Sequence, residues 1–211
     1  MLNVRSSIRE SHPLQHIDKM FYTAFLLVVL AVHCRAQVPF FGYCDANIKP
    51  MQKFDPTRYL GKWYEQEKYF AIFQFGGKCV TATYSDAGNG NIGVSNKQLH
   101  IITGAPTTIE GTAKTAAGAA PLEARLEVVF PSVPLQIPAP YWVLDTDYTS
   151  YAVVYACNGF GIFHTKFVWL LTRNRNAPLD AMENARSVLD RNNISRAFLI
   201  RTDQVNCPAN N

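Results

Sequence analysis

Between Gly61 and Arg173 the chain is a succession of short strand-like runs broken by turn residues, and a helical pattern appears only after them. The runs are Gly61 to Phe70, Lys78 to Ser85, Asn91 to Ile102, Thr107 to Thr115, Leu122 to Phe130, Tyr141 to Thr146, Ser150 to Cys157 and Ile162 to Arg173. They are rich in alternating β-branched and aromatic residues, the side chains that fit a half-buried pleated surface. Eight runs at this spacing predict an antiparallel barrel or sandwich. Leu179, Met182, Ala185 and Leu189 then recur near helical spacing, with Pro178 suited to the first turn and Asn192-Asn193 to the end. A last short strand is expected from Arg196 to Asp203. A sandwich gives no reason for a helix after the eighth strand. The order therefore favours an all-β fold: an eight-stranded antiparallel up-and-down β-barrel with one C-terminal α-helix and a short final strand.

The chain begins with what reads as an export signal. Arg5, Arg9 and Lys19 precede an apolar run from Phe21 to Val32, which is shorter than the ~20 residues a membrane span requires. Cleavage is expected after Ala36, which leaves residues 37–211 as one domain. The alternative, an N-terminal anchor, would need a longer run. Removing the leader's four basic and two acidic residues turns 20 basic and 16 acidic side chains into 16 and 14, a formal charge of +2. That balance, without a basic cluster, argues against a nucleic-acid partner. Cys44, Cys79, Cys157 and Cys207 remain, and an even number of widely spaced cysteines after a leader implies two disulfides. Spacing alone leaves all three pairings open. Asn193-Ile194-Ser195 is a glycosylation sequon.

Three separated motifs now point one way. They are Gly61-Lys62-Trp63, Thr146-Asp147-Tyr148 at the turn between the sixth and seventh strands, and Arg173 at the end of the eighth. In this order and at these distances the chain resembles the lipocalin family. Longer runs narrow the resemblance to the apolipoprotein D and Lazarillo group within it: Ala139-Pro140-Tyr141-Trp142, Phe167-Val168-Trp169, Arg173-Asn174 and Thr202-Asp203-Gln204-Val205-Asn206-Cys207-Pro208. The resemblance implies that Trp63 plugs the closed end of the barrel with Arg173 across its ring. It implies that Gly61, Thr146, Asp147 and Tyr148 are structural, and that the disulfides are Cys44–Cys157 and Cys79–Cys207. It also implies lipid handling and a part in the oxidative stress response.

A barrel of eight strands has room for one small guest. If Trp63 and Arg173 point inward, strand alternation sends Thr165, Phe167, Trp169 and Leu171 inward too. The expected ligand-binding wall is therefore Trp169, Phe167 and Leu171; the resemblance adds Tyr84 facing Trp169, and Phe130 at the end of the fifth strand is a further candidate. By resemblance, Asn96 and His100 supply polar groups on the third strand, although both would equally suit a water-facing position. Glu65 and Glu67 share the parity of Trp63. Two inward carboxylates are costly unless paired, so a bulge is the alternative. At the open end, Phe70, Ile72, Phe73 and Phe75 of the first loop and Pro131 to Pro138 of the fifth form either an apolar rim that touches a membrane or lipoprotein, or inward-folded lids.

The sequence offers one decoy. Gly88-Asn89-Gly90-Asn91-Ile92-Gly93 spells a dinucleotide fingerprint, but strand-like residues follow it, and Asn-Gly favours a hairpin turn. Beyond the leader only His100 and His164 remain as histidines, with His164 facing outward by parity, and the cysteines are expected to be oxidised. Neither Gly-x-Ser-x-Gly nor His-Glu-x-x-His occurs. The expected function is a secreted, non-enzymatic carrier of a small hydrophobic ligand such as a fatty acid, sterol or retinoid, with no metal or cofactor. The alternatives are a bilin carrier, a lipocalin-type isomerase and a scaffold whose barrel is packed solid.

Overall fold

The computed structural model describes residues 39–209; the leader and its cleavage point lie outside them. Ten strands form one sheet: β1 (Pro39–Phe41), β2 (Gly61–Lys68), β3 (Gly77–Asp86), β4 (Ile92–His100), β5 (Pro106–Thr115), β6 (Arg125–Val129), β7 (Ala139–Thr146), β8 (Tyr151–Phe160), β9 (Phe163–Thr172) and β10 (Ile200–Arg201). Strands β2 to β9 pair in sequence order, and a β2–β9 pairing closes the ring. This is the eight-stranded up-and-down barrel expected, with β1 and β10 added at its edges. Three details differ. The fifth barrel strand starts at Arg125, because Leu122 takes φ +61° and cannot extend it. The final strand shrinks to two residues after a 3-10 turn, Arg196–Phe198. β1 had no signal in the sequence.

Three register shifts interrupt the barrel pairing. The β2–β9 register slips between Glu65 and Glu67, the β3–β4 register between Lys78 and Thr81, and the β7–β8 register between Val143 and Asp145. β2 pairs β3 only over Gly61–Tyr64, so the two strands diverge above that level. The C-terminal segment fills the seam. Thr202 N donates to Gln66 O, and Gln204 Nε2 donates to both Glu65 O and Val80 O. Cys79–Cys207 locks this segment in place, and Cys44–Cys157 ties the N-terminal segment to β8. Both pairings are those the family resemblance implied.

The helix Leu179–Arg191 lies against the outer face of β8 and β9. Met182, Ala185, Val188 and Leu189 pack there with Val153, Val168 and Leu170. Leu179, expected in this stripe, is exposed at the first helical position, and Val188 takes its share of the packing. The Gly-rich decoy is a hairpin turn between β3 and β4, closed by Asn91 N to Gly88 O, with Gly88, Asn89 and Gly90 all at positive φ.

Candidate functional site

One end of the barrel is sealed. The short helix Pro56–Tyr59, capped by Asp55, delivers Tyr59 to the floor, where it packs against Trp63 of β2. The Trp63 indole N–H donates to Tyr59 O at 2.9 Å. The Arg173 guanidinium carbon stands 3.8 Å from the Trp63 ring centroid. Its nitrogens donate to Tyr148 O, Lys62 O and Arg58 O at 2.9–3.0 Å. Desolvation lowers the arginine's pKa, but three carbonyls and an aromatic face are ordered around it. Gly61, at φ +97°, leaves space that a Cβ would narrow to 3.1 Å from Arg173 Nη1.

The turn beside this floor is built by its own side chains. Asp147 accepts from the backbone N–H groups of Thr149, Ser150 and Tyr151, and from the Ser150 hydroxyl. Thr146 Oγ1 donates to Tyr151 O and accepts from Tyr148 N. Tyr148 sits at φ +69° and its hydroxyl accepts from Asp55 N, which joins the turn to the helix cap.

Above the floor three phenols meet. The Tyr59 and Tyr141 hydroxyls are 2.9 Å apart, and those of Tyr84 and Tyr141 are 2.5 Å apart. Burial pushes Tyr84 up to about 12 and raises Tyr59 and Tyr141 well above the ordinary phenol value. The phenols are therefore neutral hydrogen-bonding groups across the physiological range.

A cavity of about 150 Å³ opens above them and reaches the mouth. An apolar void of this volume is large enough in other proteins to hold an aromatic ring, and here a longer molecule could extend out between the loops. Trp169, Phe167 and Leu171 line it, as strand parity places them, and Tyr84, Phe130 and Asn96 line it as well. Trp169 and Phe167 stack with their planes 13° apart. Phe130 lies over Gly111, where a Cβ would come within 2.6 Å of its ring.

His100 is the exception among the expected wall residues. It is the last residue of β4, above the level where the walls converge, and it is exposed. Its ring lies beside Gly76 of the first loop, with Nδ1 3.3 Å from Thr103 Oγ1. It is not part of the cavity lining. The two glutamates separate, because the β2 bulge re-phases the strand. Glu67 turns outward to pair with Arg186 of the C-terminal helix, while Glu65 stays inward. Lys68 turns inward opposite Trp169, with its ammonium 3.0 Å from Glu65 Oε1.

The first loop reaches over the mouth. Its 3-10 turn, Ile72–Gln74, places Phe73 against Phe167 at 5.7 Å. Gln74 Oε1 accepts from the Trp169 indole N–H at 3.1 Å, and Gln74 Nε2 donates to Glu65 Oε2 at 2.8 Å. Gln74 carries no signal in the sequence, since a loop position has no periodicity to read. Tyr141 was legible only as part of a motif, although its parity with Val143 on β7 also directs it inward.

The other loops at this end are apolar and exposed. Leu135 and Ile102 are both 85% exposed, and Phe75, Ile137, Phe160 and Ile162 are exposed as well. The first loop thus divides its apolar residues between lid and rim, while the fifth contributes only to the rim.

Comparison with known proteins agrees with this architecture. Residues 54–204 match the family model described as a Lipocalin-like domain. Apolipoprotein D of Mus musculus is 45% identical over 169 residues, covering 79% of this chain and 85% of the relative. The Lazarillo protein of Schistocerca americana is 33% identical over 181 residues, covering 84% and 81%. The structure of insecticyanin from the tobacco hornworm Manduca sexta superposes with a TM-score of 0.71 at 26% identity, covering 79% of this chain and 89% of that one.

Proposed function

This chain belongs to the lipocalin family, and on that premise we propose that it is a secreted carrier of a small hydrophobic molecule. The observation that carries the reading is the open, aromatic-walled cavity beneath Trp169. Apolar walls supply affinity in proportion to the guest surface they cover, at roughly 25 cal/mol per Å². A few convergent polar groups, here Asn96, Tyr84 and Tyr141, orient what enters. Binding is noncovalent and the protein performs no chemistry on its guest.

The leader-like N-terminal sequence and the two disulfides support export. Asn193 is exposed where the C-terminal helix ends, a position open to an N-glycan. The exposed apolar loops at the mouth form the contact through which a guest passes from a membrane or lipoprotein surface.

Solvent extraction of the native, secreted protein followed by mass spectrometry tests the carrier reading. A stoichiometric lipid-like molecule is the expected result. An empty barrel that also fails to quench tryptophan emission with any of a panel of fatty acids, sterols and retinoids would refute it. A visible absorption band on the native protein would instead assign the pigment-carrier alternative.

A further inference from the structure

The charge inventory of the cavity restricts its guest more than the shape does. Among the described residues that line it, Glu65 is the one with a formal charge, and no Lys, Arg or His is part of the lining. The Glu65 carboxylate is 2% exposed and held by Lys68 Nζ at 3.0 Å, Gln74 Nε2 at 2.8 Å and Thr202 Oγ1 at 2.5 Å. Its matching cation, Lys68, is buried but does not line the cavity.

A guest that brought a carboxylate to this depth would lose its hydration, find no cation on the wall and lie near a fixed anion. Desolvating an unpaired charge is among the most costly steps in a protein interior. A hydroxyl loses far less, and it gains a charge-assisted hydrogen bond when it donates to a carboxylate. The Gln74 amide shows that the acceptor can be reached from the cavity side. It is a neutral donor, it lines the cavity itself, and it already occupies Glu65 Oε2.

We propose that Glu65 sets the headgroup preference of the barrel. The site takes apolar molecules whose inner end is a neutral hydrogen-bond donor, a hydroxyl above all, and disfavours the same chain ending in a free carboxylate. This rests on the carrier reading and specifies the guest of the same cavity.

Dodecanol, methyl dodecanoate and dodecanoic acid share a chain and differ in the headgroup, so their binding at neutral pH, read by quenching of intrinsic tryptophan fluorescence, separates the terms. The alcohol is expected to bind about tenfold more tightly than the acid, with the ester between them. Glu65→Gln alone strands Lys68 without its partner and risks the fold, so the decisive variant is E65Q/K68M, which removes both charges. In that variant the alcohol-to-acid ratio is expected to fall to about twofold or less. An acid that binds the natural protein as tightly as the alcohol overturns the inference and leaves the carrier reading intact. A ratio that persists in E65Q/K68M overturns the assignment to Glu65. Failure of all three ligands to bind overturns the inference, and the wider panel of fatty acids, sterols and retinoids then decides the carrier reading.

Discussion

Gln74 accepts a hydrogen bond from the Trp169 indole and, through the other end of the same amide, donates one to Glu65. A single side chain of the first loop thereby ties the aromatic wall of the barrel to its buried carboxylate. The loop is held over the apolar opening by these two polar contacts, by Phe73 and buried Ala71 against Phe167, and by Gly76 O, which accepts from Ile101 N.

Gln74→Ala removes both contacts and leaves the cavity walls in place. The loop then keeps its apolar contacts but loses both polar ties to the wall, so guests should enter and leave severalfold faster while the equilibrium affinity changes little. Stopped-flow quenching of tryptophan emission reads both rates. Trp169, stripped of its acceptor, should also emit at longer wavelength as water reaches the indole. Unchanged exchange rates would show that the loop does not gate the mouth.

Arg173→Ala tests the floor. The variant loses a cation–π contact worth roughly 1–2 kcal/mol when desolvated. It also leaves the carbonyls of Tyr148, Lys62 and Arg58 without their donor. At about 1 kcal/mol for each such bond, the expected loss is about 4–5 kcal/mol in urea denaturation. Arg173→Lys can keep the contact with the ring but cannot reach three carbonyls in one plane, so it should fall between the two. A loss below about 1 kcal/mol for the alanine variant would mean that the arginine merely rests on the floor.

Most of the barrel was legible because its signals are local. Strand alternation in β9 placed Phe167, Trp169 and Leu171 on one face, and the structure puts all three on the cavity wall. The motif residues were legible because Trp63 and Arg173 need each other at one end of a closed ring. What escaped was set by breaks in periodicity. A bulge at Gln66 inverts the parity of every later residue in β2, so Glu67 turns outward and Lys68 is buried beside Glu65 without lining the cavity. The sequence shows the cost of two inward carboxylates but not the residue at which the strand slips. His100 keeps the inward parity, yet it stands at the end of β4, and parity says nothing about height. Gln74 acts from a loop, where neither period applies.

Asp147 makes the turn beside the floor sensitive to acid. Partial burial would raise its pKa, but the Ser150 hydroxyl and the backbone N–H groups of Ser150, Tyr151 and Thr149 outweigh that and hold it below the usual carboxylate range. A carboxyl whose folded pKa is depressed adds stability above its unfolded value of about 3.9, and that stability is lost as pH falls through the folded value. Asp147→Asn should therefore be less stable than the natural protein at pH 7 and indistinguishable from it near pH 2. Denaturant midpoints measured at both pH values decide this. An equal deficit at the two would assign the effect to turn geometry rather than to charge.

The exposed rim makes a separate claim, that the mouth touches a lipid surface. Leu135 and Ile137 lie in the loop between β6 and β7, project from the barrel and do not line the cavity. Neither has a packing role that their loss would disturb. Full burial of one such side chain is worth about 1.5–3 kcal/mol, and partial insertion of two of them into a bilayer interface should recover a fraction of the sum. Replacing both with Ser should lower partition onto phosphatidylcholine vesicles by about tenfold or more. Guest affinity in the absence of vesicles should stay unchanged. Partition that does not respond would show that the rim's apolar residues only shield the opening from water, and guest transfer would then proceed through solution. Reduced partition with slower guest delivery from vesicles, at constant affinity, would place the transfer step at the membrane contact itself.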